Sequence, residues 1–125
     1  MSKPLITVGA LVADVALVVV FVLIGRREHD SGGAVIGFLG TLWPFVAALG
    51  IGWLLVRAWR RPTSPLTGLL LWPIVVVGGM LLRVLSGQGV AWSFVVVTAL
   101  VLAVFLIGWR LAAAGVHRLR VRSRS

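Results

Sequence analysis

Twenty consecutive residues, Leu5 to Ile24, are almost wholly apolar, and the run carries one carboxylic acid, Asp14, at its midpoint. Coiled as a helix at about 1.5 Å per residue, a stretch of that length matches the hydrocarbon thickness of a bilayer. Asp14 is then expected near the membrane centre, where an ionisable group costs at least ~2.5–3.5 kcal/mol on insertion scales. It is tolerated there when it faces protein or water, finds a partner or stays protonated.

Three more runs of similar character follow. With 60% hydrophobic and 12% charged residues and a mean hydropathy of +1.10, the chain falls well short of the quarter of charged residues usual in soluble domains. The fold class expected is therefore all-α, a four-transmembrane-helix bundle forming a single integral membrane domain over residues 1–125. Its helices are expected at about 5–24, 34–56, 66–85 and 90–109, followed by a basic tail at 110–125. Gly25 is placed to close the first helix. Ser64 followed by Pro65 reads as an N-cap with proline at the first helical position of the third. A cleaved leader is not expected, because the first apolar run is too long and ends in Gly25-Arg26-Arg27.

Two prolines lie inside spans. Pro44 and Pro73 lack an N–H, so they free the carbonyls of Gly40 and Leu69 and are expected to kink their helices. The second span is also rich in small residues, and Ala48/Gly52 have the spacing that lets membrane helices approach closely. Leu42-Trp43-Pro44 is echoed by Leu71-Trp72-Pro73, but the rest of the two halves does not align. Coincidence explains the echo better than an inverted repeat.

Lys and Arg are distributed unevenly between the two sides of the spans, nine against three. The positive-inside rule then places the N- and C-termini in the cytoplasm of a multi-pass plasma-membrane protein. A charge of +9 would suggest nucleic acid in a soluble protein. Here the arginines sit at span ends and in the tail, so no nucleic-acid partner is expected. Arg118, Arg120, Arg122 and Arg124, with His117, read instead as a grip on acidic headgroups, each basic residue contributing ~1 kcal/mol near such a surface.

The candidate site at mid-membrane combines Asp14 with Trp72 and Arg83. Counting residues from the outer surface sets Trp72 and Pro73 level with Asp14, so an ionised carboxylate could accept from the Trp72 indole and a protonated one could donate to a proline-freed carbonyl. Arg83 is the obvious counter-charge, although it lies near the end of its span, where snorkelling to the headgroups competes. Arg26 and His29 form an outer-loop polar site beside Glu28 and Asp30. Consecutive Glu, His and Asp cannot converge on one metal, so no metal is expected. With three carboxylates, no tyrosine, no cysteine and no phosphate-binding loop, neither enzyme activity nor a cofactor is expected. The functional expectation is a small proton- or cation-linked transporter or channel-like protein working through Asp14. The alternative is a non-catalytic scaffold that docks a partner while its tail holds acidic lipid. Four crowded helices enclose little volume, and a parallel homodimer is expected.

Asp14, Gly25-Arg26-Arg27, His29, Pro44-Phe45 and Gly52-Trp53 together resemble a family of short bacterial and archaeal membrane proteins, domain of unknown function 3054. That resemblance implies a four-helix membrane protein of unassigned activity, common in actinobacteria, with Asp14, Arg26 and His29 as family-like polar positions. Gly9-Ala10-Leu11-Val12-Ala13-Asp14-Val15 is also similar to the first-helix segment of small multidrug resistance transporters, with Asp in place of their proton-exchanging Glu. The longer first loop, the third helix without the family's glycine-tryptophan signature and the basic tail depart from that pattern.

Overall fold

The computed structural model describes residues 3–26 and 34–124. Among them are four long helices: α1 (Lys3–Arg26), α2 (Ala34–Val56), α3 (Pro65–Leu85) and α4 (Trp92–Arg124). Each is long and apolar enough to cross a membrane, and the protein is a multi-pass, all-α membrane bundle. Sequence neighbours pack side by side, α1 on α2, α2 on α3 and α3 on α4, and α4 closes the ring against α1 along a thinner seam. The two bundle ends are therefore distinct. One carries the starts of α1 and α3 and the close of α2, and is called here the terminus end; the other carries the α3–α4 turn and is called the loop end.

The boundaries follow from local chemistry. α2 stops where Arg57 adopts a left-handed backbone, φ 57°, which ends the helical hydrogen-bond ladder; a single 3₁₀ turn, Ala58–Arg60, follows. Ser64 sits at the cap position of α3 with Pro65 behind it, yet its hydroxyl makes no capping bond. The hydroxyl of Thr67 ties the connection instead, donating to the Arg61 carbonyl at 2.6 Å. α3 closes at Ser86, and Gly87 takes the positive φ of 83° that the turn requires. At the other boundary Gly25 does not stop α1, which runs on through Arg26.

Neither proline ends its helix. The carbonyl of Gly40, left without an N–H partner by Pro44, is taken by the side-chain amide of Gln88 from the α3–α4 turn at 2.8 Å. One missing backbone donor thereby fastens the turn to α2.

The core is built on Phe45, Leu49, Leu71, Val75, Leu102 and Leu106, all buried. Phe21, Phe45 and Phe94 meet with centroids 5.5–6.3 Å apart, binding α1, α2 and α4 toward the loop end. α2 and α3 pack closely through small residues. Ala48 faces Gly78, Gly52 faces Leu71 and Ile74, and the Phe45 ring fills the space that a Cβ at Gly79 would need. The small residues of α2 are used unevenly, since Gly40 and Gly50 have open space where a Cβ would stand.

Gly79→Val should destabilise the bundle by ~1–3 kcal/mol through overpacking against Phe45, measured as an earlier thermal unfolding in detergent. Because the two positions share one space, Gly79→Val combined with Phe45→Ala should cost less than the sum of the single changes.

Candidate functional site

Asp14 is fully buried, and its carboxylate points into the bundle toward α2 and α4. The guanidinium of Arg110 grips it with two parallel bonds, from Nη1 to Oδ1 at 2.8 Å and from Nη2 to Oδ2 at 2.7 Å. Two indoles complete the set, with Trp53 Nε1 donating to Oδ2 at 2.9 Å and Trp109 Nε1 to Oδ1 at 2.8 Å. An ionised carboxylate offers about four lone-pair sites, and all four are occupied. Both side chains of this ion pair have no exposed surface.

Arg110 is anchored through four of its five N–H groups. Its Nε donates to the Pro62 carbonyl at 2.9 Å and Nη1 also donates to the Leu106 carbonyl at 2.9 Å. Helical side chains lean toward the helix N-terminus, which brings the guanidinium back over the preceding turn of α4, and its carbon lies 4.6 Å from the centre of the Trp109 ring. α3 admits the arginine at Gly68, where a Cβ would meet the Leu106 carbonyl oxygen and the Arg110 Cδ. One carboxylate thus joins α1, α2, α4 and the α2–α3 connection, with Gly68 of α3 as the floor.

The chemistry of this arrangement is that of a fixed charge pair. Taking both charges out of water costs several kcal/mol per ion, and only good geometry with saturated hydrogen bonding recovers it. The fork of arginine matches a carboxylate in a way the point charge of lysine cannot. A proton arriving at Asp14 would have to displace an existing donor.

The expected partners of Asp14 lie elsewhere. Trp72 donates to the Ala99 carbonyl at 2.8 Å and fastens α3 to α4. Arg83 belongs to the loop end, where Nη1 donates to Gln88 Oε1 and Nη2 to the Gly89 carbonyl, both at 3.0 Å, and its guanidinium carbon lies 4.7 Å over the Phe94 ring. The mid-membrane grouping of Asp14 with Trp72 and Arg83 is accordingly replaced by one of Asp14 with Trp53, Trp109 and Arg110. The cause is axial register. Asp14 meets α2 three residues before its end and shares Arg110 with the Pro62 carbonyl, so it lies level with the terminus-end connection rather than with Trp72.

Arg110 was expected to open a basic tail, but α4 continues without a break through it to Arg124. The signal for its burial is periodicity, because Thr98, Leu102, Leu106 and Arg110 repeat every four residues and all four are fully buried. His29 and the side chains of Arg26 and Arg124 lie outside the described residues. Arg118, Arg120 and Arg122 are exposed on the far part of α4.

Replacing one partner strands the other charge. Asp14→Leu and Arg110→Met should each cost ~3–5 kcal/mol, whereas the two changes together should recover most of that loss. Thermal unfolding of the four proteins in one detergent measures the coupling, and additive losses would refute a pairwise clamp.

The sequence profile of a family described as protein of unknown function, DUF3054, matches residues 11–113, a stretch that contains Asp14, Trp53, Gly68, Trp109 and Arg110. No curated protein and no solved structure matches the chain, so the likeness to small multidrug resistance transporters has no counterpart there. With the match covering most of its length, the chain belongs to the DUF3054 family of proteins of unknown function.

Proposed function

We propose that this protein is a non-catalytic docking protein of the plasma membrane, a clamped four-helix anchor that holds out a basic helix to an acidic partner. The observation that carries this reading is the continuity of α4. Its 33 residues extend about 50 Å at 1.5 Å per residue, far more than the ~30 Å hydrocarbon layer. Arg110 is locked level with the α2–α3 connection, and from there Arg118 lies about 12 Å and Arg124 about 21 Å further along the axis. The headgroup layer adds only about 5–8 Å on each side. The apolar run of α1 itself reaches Leu5, about 14 Å past Asp14 on the same side, so Arg118 lies level with the first turn of α1, and the stretch from Arg120 onward, with Val121 exposed beside it, stands at and beyond the headgroups. An acidic, partly apolar surface of a soluble protein fits it.

The orientation rule supports a cytoplasmic position for this extension. With Arg110 inside the bundle, eight Lys and Arg remain on the terminus side against three on the other, and the bias still sends both termini inward. The saturated carboxylate favours the docking reading over transport, because a carrier acid needs a free lone pair or an exchangeable donor and Asp14 has four fixed bonds. Transport through Asp14 would require the clamp to open in each cycle.

The chain has no cysteine, so Ser123→Cys can carry a single spin label for reconstituted vesicles. The label should remain accessible to a water-soluble relaxation agent in both phosphatidylcholine and phosphatidylglycerol bilayers. Immersion in the headgroups of the anionic bilayer would assign the arginines to lipid instead. Photocrosslinking from position 121 in cells should trap a soluble acidic protein, and replacing Arg118, Arg120, Arg122 and Arg124 by Gln should abolish the product. Proton or cation flux in proteoliposomes lost in Asp14→Asn with unfolding unchanged would favour the transporter.

A further inference from the structure

The seam between α1 and α4 is clamped at the terminus end by Asp14 and Arg110, and it opens at the loop end into a cleft of about 800 Å³. Phe21 and Val22 of α1 form one wall, Ser93, Phe94 and Val97 of α4 the other, and Arg83 of α3 stands at its rim. The volume lies within the range of small-molecule pockets, about 300–1,000 Å³, and an apolar lining with one placed charge is their usual chemistry.

Arg83 is held but not neutralised among the described residues. Its two terminal nitrogens donate to uncharged oxygens, of Gln88 and of the Gly89 backbone. Gln88 is itself braced on the Gly40 carbonyl, so the guanidinium is set in place before any ligand arrives. Its Nε is buried and has no hydrogen-bond partner, and a buried donor left unsatisfied costs about 1–3 kcal/mol. Nη1 and Nη2 each give only one of their two N–H groups to the Gln88 and Gly89 oxygens, and an anionic oxygen accepting from the remaining ones would supply the missing charge.

From this arrangement we infer that the cleft binds a membrane lipid with an anionic head, its phosphate on Arg83 and an acyl chain between Phe21, Val22 and Val97. The position of Arg83 in the last turn of α3 argues for a lipid over a soluble anion, because that turn lies at the end of a span, at headgroup depth. The site is at the opposite end of the bundle from the basic extension of α4, so it is independent of the docking function proposed above.

Native mass spectrometry of the full chain, titrated in detergent with phosphatidylglycerol or phosphatidylcholine, tests the assignment. Phosphatidylglycerol should bind with an advantage of about tenfold, the equivalent of one charge-assisted hydrogen bond, and Arg83→Gln should remove that advantage. The triple change of Arg118, Arg120 and Arg122 to Gln should leave it intact. Ser93→Trp, which narrows the cleft and leaves Arg83 in the sequence, should weaken both lipids while thermal unfolding stays within a few degrees, and it keeps the test open if Arg83→Gln misfolds. Equal binding of the two lipids, loss of preference in the triple variant rather than in Arg83→Gln, or displacement by undecanoate as readily as by phosphatidylglycerol would overturn the proposal.

Discussion

A carboxylate buried in a membrane bundle has to be answered in full, and the whole terminus end of this protein is shaped by how Asp14 is answered. Four donors converge on its two oxygens, and they come from α2 and α4 and not from a single neighbour. Each imposes a positional demand. Trp53 fixes how far α2 runs beside α1, Trp109 and Arg110 fix the rotation of α4, and the bond from Arg110 to the Pro62 carbonyl draws in the α2–α3 connection. Gly68 is required because a Cβ there would strike the Leu106 carbonyl oxygen of α4 first and then crowd the Arg110 side chain. Lipid cannot substitute for any of these donors, so the penalty for losing register is high.

That single fastening explains the asymmetry of the bundle. α2 and α3 pack along their length through small residues set against larger ones, Ala48 on Gly78 and Phe45 on Gly79. α1 and α4 meet by a different means, a polar clamp at one end and the phenylalanine cluster further along. Beyond Phe21 and Phe94 the described residues leave a gap between the two helices, the cleft beside Arg83. A second polar chain stiffens that end, running from Arg83 through Gln88 to the Gly40 carbonyl that Pro44 leaves open. Among the described residues the bundle has a clamped end, a cleft toward the other end and a helix that runs on past the clamp.

Projection of α4 depends on the same clamp. A helix that began its tail at Arg110 could bend there and lay its arginines on the membrane surface. With Arg110 held by Asp14, Leu106 and Pro62, α4 runs on past the clamp as one continuous helix, which is the geometry the docking proposal uses. The docking function proposed here and the stability of the bundle therefore rest on one side chain.

The number of spans, their approximate limits, the all-α class and the importance of Asp14 were legible in the sequence, because apolar length and the cost of a buried charge are properties of the chain itself. So was the carbonyl that Pro44 exposes, since it follows from a missing N–H. What completes each of these was decided by tertiary structure. Residue counting set Asp14 level with Trp72, but the axial offset of one helix against another is fixed only by packing, and packing set it level with Trp53 and Pro62. Arg110 looked like the first residue of a tail because it follows an apolar run, although its four-residue spacing from Leu106, Leu102 and Thr98 placed it on the inward face. Sequence determined that an acid would be buried and need a partner; which cation reached it was settled by the rotation and register of α4, quantities that no single helix contains.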